Sequence, residues 1–225
     1  MNKLFSIIML GLLSHTVLAG KTMNCHEVNN MNAGSVGVCE DQTKQQLKEI
    51  YLQLLKHHFE KNRFEHIILL AKSQQAWIDI RDAQCEFVGQ NTGIQAIAAT
   101  KVCRVALTQN RVDELNANLI SNEEQSIPIC PNAKQNVDSL QQCFEQTQKR
   151  LESAYRMIEK QNFLDFKLLQ ESQYAWLEFK VRHCELVGWW EISYESENML
   201  LCSLVMIDKR TRELEKIAKG DFYSF

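Results

Sequence analysis

The spacing of apolar residues predicts helices along most of the chain. From Asp41 to Phe59, apolar side chains recur at intervals of three and four residues, which places them on one face of an amphipathic helix. A polar break at Glu60 to Arg63 precedes a second pattern of this kind, and a third runs from Ala98 to Leu119. Strand-like alternation never lasts more than a few residues, so we predict an all-α fold. We also expect Gly89 to end the second helix in a left-handed conformation.

The same three-helix pattern occurs twice. The segment Ser73 to Gly89, SQQAWIDIRDAQCEFVG, returns 99 residues later as Ser172 to Gly188, SQYAWLEFKVRHCELVG, with eight of 17 positions identical. In the second copy, the pattern predicts helices over Cys143 to Ile158, Phe163 to Val187 and roughly Ser196 to Ala218. The chain is therefore expected to form two tandem three-helix modules.

The boundary between the modules is predicted from the two prolines of the chain. Pro128 and Pro131 lie between the two copies, and proline interrupts helices. We therefore expect the first module to cover residues 20–125 and the second to cover residues 126–225.

Residues 1–19 have the pattern of a secretory signal peptide, with one lysine, an apolar stretch and small residues before a cleavage point. The apolar stretch of about nine residues is shorter than the roughly 20 that a membrane-spanning helix needs. We therefore expect a periplasmic or secreted protein without stable membrane insertion. A formal net charge of −3 makes nucleic acid an unsuitable partner.

Eight cysteines, four in each copy, predict disulfides in an exported chain. Their spacing lacks the close cysteine pairs of structural zinc sites, so we expect neither a metal nor a cofactor. We favour pairing between neighbours in sequence, although four cysteines in a module also allow two other pairings. The favoured pairs are Cys25 with Cys39, Cys85 with Cys103, Cys130 with Cys143, and Cys184 with Cys202.

Each copy has a tryptophan and a cation four residues apart on its second helix. Trp77 and Arg81 form this pair in the first copy, and Trp176 and Lys180 form it in the second. Residues at this spacing are neighbours on a helix, so each cation can lie over the indole ring. We interpret the pair as structural. The alternative is that Arg81 and Asp82 present a charged pair to a partner, which the second copy has lost.

The motif around this pair resembles the lysozyme inhibitor LprI-like family, which comprises small exported helical domains of bacterial envelopes. The matching residues of the first copy are Cys39, Tyr51, Gln74, Trp77, Arg81, Asp82, Cys85, Cys103, Arg111 and Leu115. The second copy keeps Gln173, Trp176, Cys184 and Cys202, but the arginine and aspartate are replaced. The resemblance implies a disulfide-stapled helical fold and a protein partner.

We find no residue pattern that indicates catalysis, because none of His57, His58, His66 and His183 has a serine, cysteine or carboxylate at a triad-like spacing. We therefore expect a binding protein and not an enzyme. The family resemblance makes inhibition of a lysozyme or another peptidoglycan-cleaving enzyme, by occlusion of its active site, the leading hypothesis. The alternatives are a periplasmic immunity protein against a secreted antibacterial toxin and a structural component of envelope assembly.

The segment after Gly188 is a candidate partner-binding loop, because it is aromatic and acidic where the first copy has Gln90 to Gly93. Tryptophan and tyrosine are enriched at protein interfaces, and a loop held by a disulfide loses less entropy on binding. The alternative is that one tryptophan covers the core while the other seals the modules together. The candidate residues are Trp189, Trp190, Glu191, Tyr194 and Glu195.

Overall fold

The computed structural model of this chain describes residues 24–30, 32–120, 137–161, 165–188 and 195–222. Within these ranges the regular structure is helical throughout, so the predicted all-α fold is confirmed. The six α-helices are Ala33–Glu60 (α1), Phe64–Gln90 (α2), Ala96–Ile120 (α3), Val137–Glu159 (α4), Phe166–Gly188 (α5) and Glu195–Ile217 (α6). Short 3-10 helices, Cys25–Asn30 and Gly93–Gln95, precede α1 and α3.

Helix α1 begins eight residues before the predicted start at Asp41. Asn32 caps it, because its side-chain oxygen accepts a hydrogen bond from the backbone N–H of Ser35 at 3.0 Å. The buried face then continues through Val36, Cys39 and Thr43 into the predicted stripe. The early start brings Cys39 onto the helix.

The two repeats meet through their middle helices. Helices α2 and α5 form the most extensive contact of the fold, while α1 packs mainly on α3 and α4 packs mainly on α6. Helices α2 and α5 run antiparallel, because Gln84 near the end of α2 contacts Ser172 near the start of α5, and Arg111 bridges Ser73 near the start of α2 to His183 near the end of α5. The sequence predicts two modules but does not predict this central pairing.

One hydrophobic cluster draws side chains from both repeats. Trp77 and Ile80 of α2 belong to it together with Trp176 and Phe179 of α5, and each is at most 9% exposed. Leu47, Ile50 and Leu54 extend it onto α1, and Ile207 extends it onto α6. Separating the repeats would expose this shared part of the core. Each large apolar side chain that became exposed would cost about 1.5 to 3 kcal/mol of stability.

Three of the predicted disulfides are confirmed. Cys25 is bonded to Cys39, Cys85 to Cys103 and Cys184 to Cys202, with Cα–Cα distances of 5.4 to 5.5 Å. Cys143 is also disulfide-bonded. The predicted partner of Cys143, Cys130, lies outside the described residues, so the fourth pair stays a prediction. Closing a loop of this size contributes about 3 kcal/mol in the chain-entropy account.

The predicted left-handed conformation of Gly89 is wrong. Gly89 lies within α2, which continues to Gln90, and the glycines with positive φ in the described residues are Gly93 and Gly220. Its role is close packing. A Cβ atom at position 89 would lie 2.1 Å from Oγ1 of Thr100 and 3.1 Å from the carbonyl oxygen of Ala96. Glycine therefore lets the end of α2 approach the start of α3 beside the Cys85–Cys103 disulfide.

We predict that Gly89→Ala destabilises the protein by about 1 to 3 kcal/mol, the usual range for an overpacked site. Chemical denaturation monitored by tryptophan fluorescence measures the change. The same substitution in a Thr100→Ala background should cost less, because the shortest contact is then absent. Equal costs in the two backgrounds would contradict the proposed contact.

Candidate functional site

The repeated tryptophan motif has the geometry that its spacing predicts. The guanidinium carbon of Arg81 lies 5.1 Å from the ring centroid of Trp77, and Nζ of Lys180 lies 5.5 Å from that of Trp176. Both tryptophans are buried at 5% exposure. Burial lowers the pKa of Lys180. Each cation therefore covers a core tryptophan at the surface of the fold.

A charged cleft is centred on Asp82 of the first repeat. Arg81 donates hydrogen bonds from Nε and Nη2 to Oδ1 of Asp82 at 3.0 and 2.9 Å. Nε of Arg104, on α3, lies 3.4 Å from the same oxygen. The side chain of Arg81 is only 17% exposed, whereas those of Asp82 and Arg104 are about two-fifths exposed. Asp82 and Arg104 therefore form the accessible part of this cluster.

Helix α1 provides the other wall of the cleft. Nζ of Lys44 lies 2.6 Å from Oε1 of Glu40, and this hydrogen bond holds the pKa of Glu40 below its ordinary value. The cleft encloses about 150 Å³. Its lining residues are Glu40, Lys44, Arg81, Asp82, Arg104 and Thr108.

The equivalent surface of the second repeat is largely uncharged. When the repeats are aligned on their cysteines, the positions of the cleft hold Phe144, Gln148, Lys180, Val181, Ser203 and Ile207. Val181 stands where the first repeat has Asp82, and it is 44% exposed. The two repeats therefore share the covered tryptophan and differ in the surface beside it.

A buried arginine joins the first repeat to the second. Arg111 of α3 donates to the hydroxyl of Ser73 at 3.0 Å and to Oε1 of Gln74 at 3.4 Å, both on α2. Its Nη1 also lies 2.8 Å from Oε2 of Glu114 and 3.3 Å from Nδ1 of His183 on α5. Because a buried guanidinium needs partners for its donors, this contact ties α3 to the middle helices of both repeats.

Arg210 makes the equivalent network from the second repeat. It donates to the hydroxyl of Ser172 at 2.9 Å, to Gln173 at 3.1 Å and to Glu213 at 3.2 Å. Its Nη1 also donates to Oε1 of Gln84 on α2 at 2.8 Å. Gln84 of the first repeat and His183 of the second are therefore equivalent, because each contacts the buried arginine of the other repeat. The two networks are related by the same internal symmetry as the sequence repeats.

Glu114 and His183 form a pair that sequence spacing does not predict. Nε2 of His183 lies 2.8 Å from Oε1 of Glu114. Burial opposes ionisation of Glu114, but His183 and Arg111 outweigh burial and hold its pKa well below the ordinary value. His183 is 5% exposed, and its other ring nitrogen contacts Arg111. The arrangement is a structural network between the two repeats.

His58, near the end of α1, is another buried histidine. Its ring stacks on that of His66 at 5.0 Å between centroids, and its pKa falls to about 4 because burial disfavours the charged form. It therefore carries no charge near neutral pH. No group of three or more metal-ligating side chains occurs among the described residues. No helix in the described ranges is long and apolar enough to span a membrane.

The sequence motif mixes residues with two different positions in the fold. Gln74 and Trp77 face the interior, whereas Arg81 and Asp82 border the cleft. Sequence reasoning gave no role to Arg111 or to its counterpart. The available signal was their recurrence, because Arg111 and Glu114 return as Arg210 and Glu213 at the interval of the repeat.

The side chains of the predicted partner-binding loop are not among those that the structure describes. Trp189, Trp190, Glu191 and Tyr194 lie outside the described residues. Glu195 begins α6, but its side chain is also outside the description. Their role stays a prediction.

Fold and motif together define a class of protein: tandem helical modules, each stapled by disulfides and each carrying a covered core tryptophan. The chain matches the family described as "Lysozyme inhibitor LprI" twice, over residues 36–115 and 130–214. It belongs to this family, of which it contains two consecutive copies. No curated protein and no solved structure was found to match the chain.

We predict that Arg81→Ala lowers the free energy of unfolding by about 1 to 2 kcal/mol, because it removes the cation over Trp77 and the bond to Asp82. Urea denaturation measures the loss. Lys180→Ala is the matched control, and it should cost less because Lys180 covers Trp176 without an adjacent carboxylate. An Arg81→Ala protein that stays fully stable and yet no longer binds its partner would show that the cleft is a binding site.

Proposed function

We propose that this protein is an exported inhibitor of a lysozyme or another peptidoglycan-cleaving enzyme, which it blocks by occupying the active site. The observation that carries the proposal is the double match to the lysozyme inhibitor family over most of the chain. The signal-peptide pattern of residues 1–19 supports export, and disulfides are typical of oxidising compartments such as the periplasm.

The scaffold supports inhibition by occlusion. An inhibitor of this type must present a fixed surface, since ordering flexible groups on binding reduces affinity. Disulfides hold each α2–α3 and α5–α6 connection at both ends, and the buried arginine networks fix one repeat against the other. The charged and titratable groups described above are engaged in structural pairs, which favours a binding role over catalysis.

For the contact with the enzyme, we retain the loop of the second repeat that contains Trp189, Trp190, Glu191, Tyr194 and Glu195. Its tryptophans have the chemistry of interface anchors, and its acids suit a cationic enzyme. In this arrangement the second repeat supplies the principal contact with the enzyme.

The direct test is an inhibition assay with the purified protein. At micromolar concentration it should slow peptidoglycan solubilisation by at least one enzyme among c-type lysozymes, g-type lysozymes and bacterial lytic enzymes. A reduced and alkylated sample is the control, because loss of the disulfides should abolish the effect. If the folded protein leaves every enzyme of this set uninhibited, the proposed function is wrong.

Replacing Trp189, Trp190 and Glu191 together with alanine should weaken enzyme binding by several kcal/mol, the scale of buried aromatic anchors. Calorimetric titration measures the affinity, and thermal unfolding checks that the midpoint falls little. A large fall of the midpoint would indicate that these side chains belong to the core and not to the interface.

A further inference from the structure

We propose that the α2–α3 turn of the first repeat is a second enzyme-contacting surface, a rigid uncharged wedge that enters the glycan-binding cleft of a peptidoglycan-cleaving glycosidase. This proposal rests on the proposed function. The first observation is exposure: Ile94 is fully exposed and Ile97 is 79% exposed, the two highest values among the large hydrophobic side chains that the structure describes. Exposed apolar side chains that lie close together mark an interaction site more often than single, scattered ones do.

The turn is held by a disulfide and by hydrogen bonds, although it is exposed. The Cys85–Cys103 disulfide closes it, and both cysteines are fully buried. Within the turn, the hydroxyl of Thr92 donates a hydrogen bond to the backbone carbonyl of Gly89 at 2.8 Å. The carboxamide of Asn91 donates one to the backbone carbonyl of Phe87, also at 2.8 Å. A surface that is ordered before binding loses little conformational entropy when it docks.

The turn is also uncharged. Residues 87–100 contain no acidic, basic or histidine side chain, in a chain that is 24% charged. Exposed Gln90 adds a carboxamide, which donates and accepts hydrogen bonds without charge. An exposed, uncharged surface of this kind suits a cleft that binds uncharged sugar rings.

Peptidoglycan glycans supply the chemical reason for this choice of partner. Their N-acetylated sugars present amides, hydroxyls and apolar ring faces, so a cleft that recognises them offers neutral hydrogen-bonding groups and apolar walls. Such a cleft also holds the two catalytic carboxyl groups, to which a carboxamide can donate. The isoleucine side chains would therefore take the place of the apolar ring faces of the glycan, and the carboxamide would take the place of its amides.

The test compares Ile94→Ser/Ile97→Ser with Ile68→Ser, a control that removes an exposed isoleucine of α2 outside the turn. Both are made in the full-length chain and in the Trp189→Ala/Trp190→Ala chain. We expect the double variant to raise the inhibition constant at least tenfold in one or both backgrounds, with an unchanged unfolding midpoint, while the control has little effect. Inhibition should also be competitive with a soluble N-acetylglucosamine oligomer.

The outcomes separate this proposal from the proposed function. If the unaltered chain inhibits and the double variant inhibits equally well in both backgrounds, the wedge is wrong and the inhibitor function stands. Loss of all inhibition in the Trp189→Ala/Trp190→Ala chain, with no effect of the isoleucine substitutions on the unaltered chain, assigns the contact to the second repeat alone. Absence of inhibition by the unaltered chain overturns both proposals.

Discussion

The fold depends on two buried arginines that cross from one repeat to the other. Arg111 and Arg210 are each about 1% exposed, and each is bonded within its own repeat and to one residue of the other, His183 or Gln84. A buried guanidinium without partners is strongly destabilising, commonly by about 3 to 5 kcal/mol. Helices α2 and α5 must therefore stay together for both arginines to be satisfied, and the shared apolar cluster around Trp77 and Trp176 reinforces the same pairing.

This constraint explains where the repeats are alike and where they differ. The residues that bind each arginine within its own repeat recur at the same interval, as Ser73 and Ser172 do, whereas the partner from the other repeat is His183 in one case and Gln84 in the other. The surface beside the tryptophan has changed. The first repeat has a charged cleft around Asp82, and Val181 takes the place of Asp82 in the second repeat. The protein therefore keeps one interior and presents two different surfaces, which suits a binding protein.

Sequence reasoning succeeded where a feature depends on neighbours in the chain. The helices follow from periodicity, the tryptophan and cation pairs follow from a four-residue spacing, and the confirmed disulfides join cysteines 14 or 18 residues apart. It failed where packing between distant elements decides. The contact of Arg210 with Gln84 spans 126 residues, and the role of Gly89 depends on the position of Thr100 on another helix.

The two candidate binding surfaces, the loop of the second repeat and the α2–α3 turn of the first, differ in how far the sequence reveals them. The aromatic and acidic residues of the second-repeat loop are visible in the sequence, whereas no such residues mark the first-repeat turn at Gln90 to Gly93. Ile94 and Ile97 could not be recognised as exposed from periodicity alone, because an isoleucine near a helix start usually faces a core. In the structure both side chains are exposed, in the connection that the Cys85–Cys103 disulfide closes.

Because each repeat satisfies a buried arginine of the other, we expect the two repeats to unfold as one cooperative unit, and native-state hydrogen exchange of a Leu204→Ala variant tests this most directly. Leu204 lies in a small cluster with Leu140 and Cys143, within the second repeat, and its truncation should cost about 2 to 5 kcal/mol. If the repeats are one unit, the slowest amides of α2 and α3 lose the same free energy of opening as those of α5 and α6. Full protection of the first repeat, with loss confined to the second, would contradict the account.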